Sequence, residues 1–184
     1  MERAVNESQN ETGQLTSPQV QVSEASPADS YDIREVLEQA FQGLEERGYP
    51  SAAIEAAIID VASIRLRLLS GHIVLVARVN DSIVGTVTGI QEHMSMHLKS
   101  FAVRPAFQRN GIGTLLVNTL ESMASKRGCR KVFLFTAWPM IEAARLYLKL
   151  GYRLEGYLPN HFYGEDFAIF GKSMVEADES QHDC

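Results

Sequence analysis

The sequence predicts an α/β fold of the α+β kind: a mixed, mostly antiparallel twisted sheet of about six to seven strands flanked by four helices. Three observations carry this. Ile73 to Val79 and Ile83 to Ile90 are β-branched runs separated by Asn80-Asp81-Ser82, the composition of an antiparallel hairpin with a tight turn. Lys131 to Thr136 is a nearly continuous apolar run, as expected of a strand covered on both faces. Between them, the apolar run Phe101-Ala102-Val103 breaks at Pro105, and Ile112, Leu115, Leu116, Leu120 and Met123 then recur at the spacing of one helix face. That stretch reads as strand, glycine-containing loop and helix.

The remaining elements follow in order. Residues 1–17 are rich in Glu, Asn, Gln, Ser and Thr and read as a disordered polar arm, with the folded domain at 18–174 and an acidic, fraying tail at 175–184. Val20-Gln21-Val22 alternates as a short first strand. Ser26-Pro27-Ala28-Asp29 starts a first amphipathic helix through Ile33, Val36, Leu37, Ala40 and Phe41, which Gly48-Tyr49-Pro50 closes. A second helix spans about Ser51 to Leu69 and stops at Gly71. Met96 to Val103 alternates as the central strand, and Gly128 ends the third helix. A fourth helix runs from about Ile141 to Leu150. Tyr152 to Leu158 and Phe167 to Met174 are the last strands, joined by a loop at 159–166.

Composition narrows the function classes. A hydrophobic fraction of 45% and a charged fraction of 22% are ordinary for a soluble domain, and 184 residues suit one core. The net charge of −6, without a basic stripe, argues against nucleic acid and anionic membranes as partners. Cys129 and Cys184 suggest neither a disulfide framework nor a metal site, so a reducing compartment is expected, the cytoplasm first and the nucleus second. No apolar segment reads as a secretory signal or a membrane span. In that setting the triplets beginning at Asn6 and Asn10 read as chance matches to a glycosylation pattern.

The loop at 108–114 carries the chemistry. A strand-to-helix junction leaves the first helical amides unpaired at the positive end of the helix dipole, a site suited to phosphate. Gly113 is followed by Thr114-Leu115 rather than Lys-Ser/Thr, which excludes a kinase-type P-loop, and Leu116 replaces the third glycine of a dinucleotide loop. The pattern present is Gln108-Arg109-Asn110-Gly111-Ile112-Gly113 after a strand ending in Val103. It resembles the pyrophosphate loop of the GNAT superfamily, the acyl-CoA-dependent N-acetyltransferases. The element order, with the helix at 141–150 and the closing hairpin, extends that resemblance over about residues 18 to 174.

The resemblance implies acetyl-CoA as acyl donor, a small-molecule or peptide amine as acceptor, and no metal. Val103 would meet the pantetheine arm, and Gln108, Arg109, Asn110, Gly111, Ile112, Gly113 and Thr114 would form the diphosphate loop, with Gln108 ordering it. Arg104 and Arg109 would add charge. Ala143-Ala144-Arg145-Leu146-Tyr147-Leu148-Lys149-Leu150-Gly151-Tyr152 is similar to the family's second motif, which makes Tyr147 the general acid for the leaving thiolate. The alternative for Tyr147 is a core aromatic. His97, six residues before Val103, stands where some members carry a general base; the alternative is an ordinary strand histidine. It is expected to share a strand face with Lys99 and Phe101.

Met140 departs from the pattern, because the family often has Asn there to bond the pantetheine arm. That departure keeps a second reading in play, a catalytically silent acyl-CoA-binding or sensing module. Transfer of a succinyl or longer acyl group is a third. His161 lies near the expected acceptor entrance, and the loop carboxylates Glu45, Glu46, Glu92, Glu165 and Asp166 border it, the alternative for each being an ordinary solvated loop charge; the acidic surface tilts the reading toward a small or basic amine. The sequence carries no sign of an oligomeric state.

Overall fold

The computed structural model describes residues 19–175. The polar arm, nearly all of the acidic tail, Cys184 and the two glycosylation-like triplets lie outside the described residues. Within them the elements are β1 (Gln21–Glu24), α1 (Ser30–Phe41), α2 (Ser51–Ala57), α3 (Val61–Leu69), β2 (Ile73–Val79), β3 (Ser82–Glu92), β4 (Ser95–Val103), α4 (Ile112–Lys126), β5 (Lys131–Ala137), α5 (Ile141–Lys149), β6 (Arg153–Phe162) and β7 (Glu165–Ser173). The predicted second helix is therefore two pieces. α2 ends at Ala57 with Ile58 as its cap, and Asp60 caps a new helix by accepting the Ser63 amide on Oδ1 at 2.6 Å.

The seven strands form one sheet in the order β1-β2-β3-β4-β5-β7-β6, and every neighbouring pair is antiparallel except β4 with β5. Asn80 and Asp81 hold φ of 48° and 66°, as a tight hairpin turn between β2 and β3 requires. The last hairpin is tighter than its sequence suggests. β6 continues to Phe162, β7 begins at Glu165, and a register shift after Leu158 absorbs the extra residues that read as a loop.

Two features of β4 shape the rest. Its parallel pairing with β5 covers only Ser95↔Lys131, Met96↔Val132 and His97↔Phe133, and the two strands then diverge. On its other edge Thr86 faces Ala102 and Thr88 faces Lys99, so Val87 stands opposite both Ser100 and Phe101. This is a β-bulge, with Ser100 at a φ of 46°. An extra residue reverses the alternation of side chains. Phe101 consequently joins Leu98 and Val103 in the core under α4, and Ala102 joins the core under α1. The expectation that Phe101 shares a face with His97 and Lys99 fails for that reason.

The core lies on both faces of the sheet. Ile73, Leu75, Met96 and Leu98 meet Leu116 and Leu120 of α4 on one side, while Val74 and Val76 meet Ile33, Val36, Leu37 and Ile64 on the other. Leu116 and Leu120 are fully enclosed, each contributing about 2 kcal/mol or more from burial. Close approach of α4 requires a bare backbone at Gly89, where a Cβ would lie 2.5 Å from Leu120 Cδ1.

Candidate active site

After Val103 the chain makes a short turn at Pro105–Phe107, and Gln108 reaches back so that its Nε2 donates to the Val103 carbonyl at 2.9 Å. Gln108 thus orders the loop, and the carbonyl keeps a second lone pair. Arg109 has a φ of 63° and Gly111 a φ of 79°, and Gly111 caps α4. The first helical bond into this end is Leu115 N to Gly111 O at 3.0 Å. The amides of Ile112, Gly113 and Thr114 therefore have no acceptor inside the helix.

The loop fits a diphosphate. A Cβ on Gly111 would meet nothing within 4 Å, so the cradle is open, whereas one on Gly113 would come within 3.0 Å of Phe101 Cζ and 3.3 Å of Leu146 Cδ2. Gly113 lets the loop sit directly on β4 and α5. Arg109 and Asn110 are exposed beside it. Arg104 is not. Its Nε donates to Ile83 O and its Nη1 to Gln39 Oε1, both at 2.8 Å, with Glu35 Oε1 at 3.2 Å, which ties the guanidinium to α1 instead of the loop.

α5 is amphipathic and buries Tyr147. The ring packs with Phe101, Tyr152 and Phe170 at centroid distances of 6.1, 5.6 and 6.2 Å. Burial raises its hydroxyl above the usual phenol value, and no partner side chain contributes. Tyr147 also lines a cleft of about 460 Å³ that opens where β4 and β5 separate. His97, Phe101, Met140, Ala143 and His161 line the same cleft. Met140 is the residue before α5 and packs against the core of the α1 face.

His97 is 8% exposed and sits at the apex of the separation. Its ring stacks on Phe133 with centroids 4.5 Å apart and meets the edge of Phe135 at 5.1 Å. Burial, then the charges of Lys99 and Arg67, lower its basicity, and the contact of Nδ1 with Glu92 Oε1 at 3.2 Å opposes them. The imidazole is thus neutral at neutral pH. A carboxylate at Nδ1 calls for the proton there, which leaves the lone pair on Nε2.

Several side chains in the cleft escaped the sequence reading. Arg67 of α3 donates Nη1 to Ser100 Oγ at 2.7 Å, at the bulge. Phe133 and Phe135 alternate toward His97, so the second face of β5 looks into the cleft and is not covered by a helix as its apolar run suggested. The alternation Phe-x-Phe was the available signal; nothing marked Arg67. The loop carboxylates are absent from the lining. Glu92 bonds His97, while Asp166 accepts from the Tyr157 hydroxyl and from Asn160 N. His161 does reach the cleft, with its ring 6.0 Å from that of Phe135.

Among the described residues no group of three or more His, Cys, Asp or Glu is placed to hold a metal ion, and no helix is long and apolar enough to cross a membrane. A splayed mixed sheet beside a phosphate-ready helix start suits an acyl-CoA-type transferase. The family model described as acetyltransferase (GNAT) matches residues 31–152. An uncharacterized N-acetyltransferase of Methanocaldococcus jannaschii is 31% identical over 104 residues, covering 55% of this chain and 67% of its own. The ribosomal-protein-S18-alanine N-acetyltransferase from Escherichia coli shares the fold with a TM-score of 0.72 at 18% identity, over 90% of this chain and 100% of that one. The PaiA N-acetyltransferase from Thermoplasma acidophilum, solved in complex with coenzyme A, does so with a TM-score of 0.72 at 17% identity, over 84% and 99%. The chain belongs to the acetyltransferase (GNAT) family and is an N-acetyltransferase of that type.

Proposed function

We propose that the protein moves the acetyl group of acetyl-CoA directly to a primary amine in a ternary complex, with Tyr147 as general acid and His97 as general base. The observation that carries the reading is the single cleft shared by Tyr147 and His97 beside the loop at 109–114. Acetyl-CoA supplies an activated acyl group as a thioester. The amides of Ile112, Gly113 and Thr114, with the dipole of α4, would hold its diphosphate, Arg109 would add charge, and Val103 would align the pantetheine arm.

An ammonium has no lone pair, so the acceptor must lose a proton before it attacks. His97 Nε2 takes that proton, directly or through one water. Tyr147 Oη gives a proton to the departing sulfur, and its raised pKa keeps the hydroxyl protonated for that purpose. The rest of the rate comes from holding the two reactants in line in a largely apolar cleft.

The test is thiol release from acetyl-CoA by the purified chain with a broad panel of primary amines, alongside calorimetric binding of CoA. Amine-dependent release with an acetylated product is expected. Binding of CoA with no release for any amine would leave a silent acyl-CoA-binding module.

A further inference from the structure

The two faces of the sheet deliver different chemistry to the cleft. The loop at 109–114 and Tyr147 approach from the face of Leu98, Phe101 and Val103. His97 and Lys99 alternate with Leu98 and point to the opposite face, where α3 brings in Arg67. On the acetyltransfer reading the second face is the acceptor side, and its cations lie across the sheet from the diphosphate loop.

That side has an unbalanced charge. Arg67 and Lys99 line the cleft, and no Asp or Glu does. Arg67 is half-buried, and burial weakens its hold on the proton with no carboxylate to oppose the effect. Its one side-chain hydrogen bond among the described residues goes to the neutral Ser100 hydroxyl. Of the neighbouring anions, Glu92 contacts His97 and Asp166 accepts from Tyr157 and Asn160, while Glu165 acts on Tyr49 without itself lining the cleft. A guanidinium drawn partly out of water without a counter-ion is costly, and a ligand that brings a carboxylate removes the cost.

We infer that the acceptor is a primary amine that carries a carboxylate, bound by Arg67 with Lys99, its apolar body lying against Ile59, Phe135 and Phe162. The inference rests on the acetyltransfer reading and specifies its substrate class. A carboxylate can take two parallel hydrogen bonds from the planar guanidinium, which fixes orientation as well as affinity. The same cations disfavour a bound ammonium and favour the neutral amine, the form that attacks. Binding and proton loss then draw on one set of charges, and His97 stands next to them to receive the proton.

The experiment pairs α-, β- and γ-amino acids bearing apolar side chains with their amides, as acceptors for the full chain and for Arg67→Gln and Arg67→Lys. At least one acid is expected to exceed its amide tenfold or more in kcat/KM. Arg67→Gln should collapse that ratio, chiefly through KM, with acetyl-CoA affinity by calorimetry within twofold of wild type, and Arg67→Lys should restore part of it. Amides accepted as well as the acids, or Arg67→Gln lowering both members of a pair alike, would overturn the inference and leave acetyltransfer standing. Bound acetyl-CoA with no thiol release for any amine, charged or neutral, would overturn the transfer reading and this inference with it.

Discussion

His97 and Phe133 are the last register pair joining β4 to β5, and their rings stack at 4.5 Å with planes 21° apart. The parallel pairing therefore ends on the residue that carries the candidate base. Beyond it the cleft opens, so on the proposed reading an amine entering between the strands would meet the imidazole at the closed end. The stacked ring limits hydration of the imidazolium and keeps the base neutral.

His97 should set the acidic limb of the pH–rate profile. The limb is expected below the ordinary histidine value of about 6.5, because burial, Lys99 and Arg67 together outweigh Glu92. His97→Gln should lower kcat/KM about a hundredfold and remove that limb; a limb that survives in the variant excludes His97 as the base. Stability follows the same sign. The folded imidazole binds its proton less readily than the unfolded one, so stability falls as pH drops from the unfolded value through the lower folded value. Chemical denaturation at pH 7.5 and 5 should show a flatter slope in His97→Gln.

Much of this was legible in the sequence. The periodicity at 112–123, the glycine loop after Val103 and the β2–β3 hairpin each specify their geometry locally, through helix spacing, backbone freedom and turn composition. The bulge at Ser100 was not legible, because Ser is unremarkable in a strand and its φ of 46° is imposed by pairing with β3. The position of Phe101 was lost with it. Arg67 was hidden for a related reason: a basic residue on an amphipathic helix normally faces solvent, and only packing of α3 beside β4 brings it to the cleft. The break between α2 and α3 was hidden because apolar residues keep one helical spacing on both sides of Asp60, which caps α3.

Tyr147→Phe should separate chemistry from binding. The ring contacts with Phe101, Tyr152 and Phe170 survive the change, so thermal stability and CoA affinity are expected to stay near wild type. Turnover should fall about a hundredfold if the hydroxyl protonates the leaving sulfur. Because burial raises the Tyr147 pKa, no basic limb from this residue should appear at ordinary pH. A Phe variant with unchanged kcat would return Tyr147 to packing alone.

Gly111 offers a test of charge at the phosphate loop with shape held constant. Its φ of 79° strains most side chains, but Asn and Asp adopt this region, and a Cβ there has open space. Gly111→Asn should fold and bind CoA within a few-fold of wild type. Gly111→Asp should fold equally well and lose tenfold or more in affinity, since its carboxylate opposes both the phosphates and the favourable end of the α4 dipole. Equal affinities by calorimetry would place the diphosphate elsewhere.

The pair of buried Glu121 and half-buried Lys172 should govern stability without touching the chemistry. Lys172 Nζ of β7 lies 2.6 Å from Glu121 Oε2 of α4, and Glu121 is 7% exposed and close enough to the Tyr152 hydroxyl to add to the rise in pKa that burial causes there. The Lys172 ammonium also stands 5.7 Å from the centre of the Tyr152 ring. Lys172→Met leaves a buried carboxylate without its cation, a loss of about 2 to 3 kcal/mol once the partial exposure of Lys172 is allowed for. Adding Glu121→Leu to that variant removes the stranded charge and should recover most of the loss. Urea unfolding midpoints at a common slope decide the matter, and a Lys172→Met variant as stable as wild type would mean that water reaches Glu121 and the pair holds nothing together.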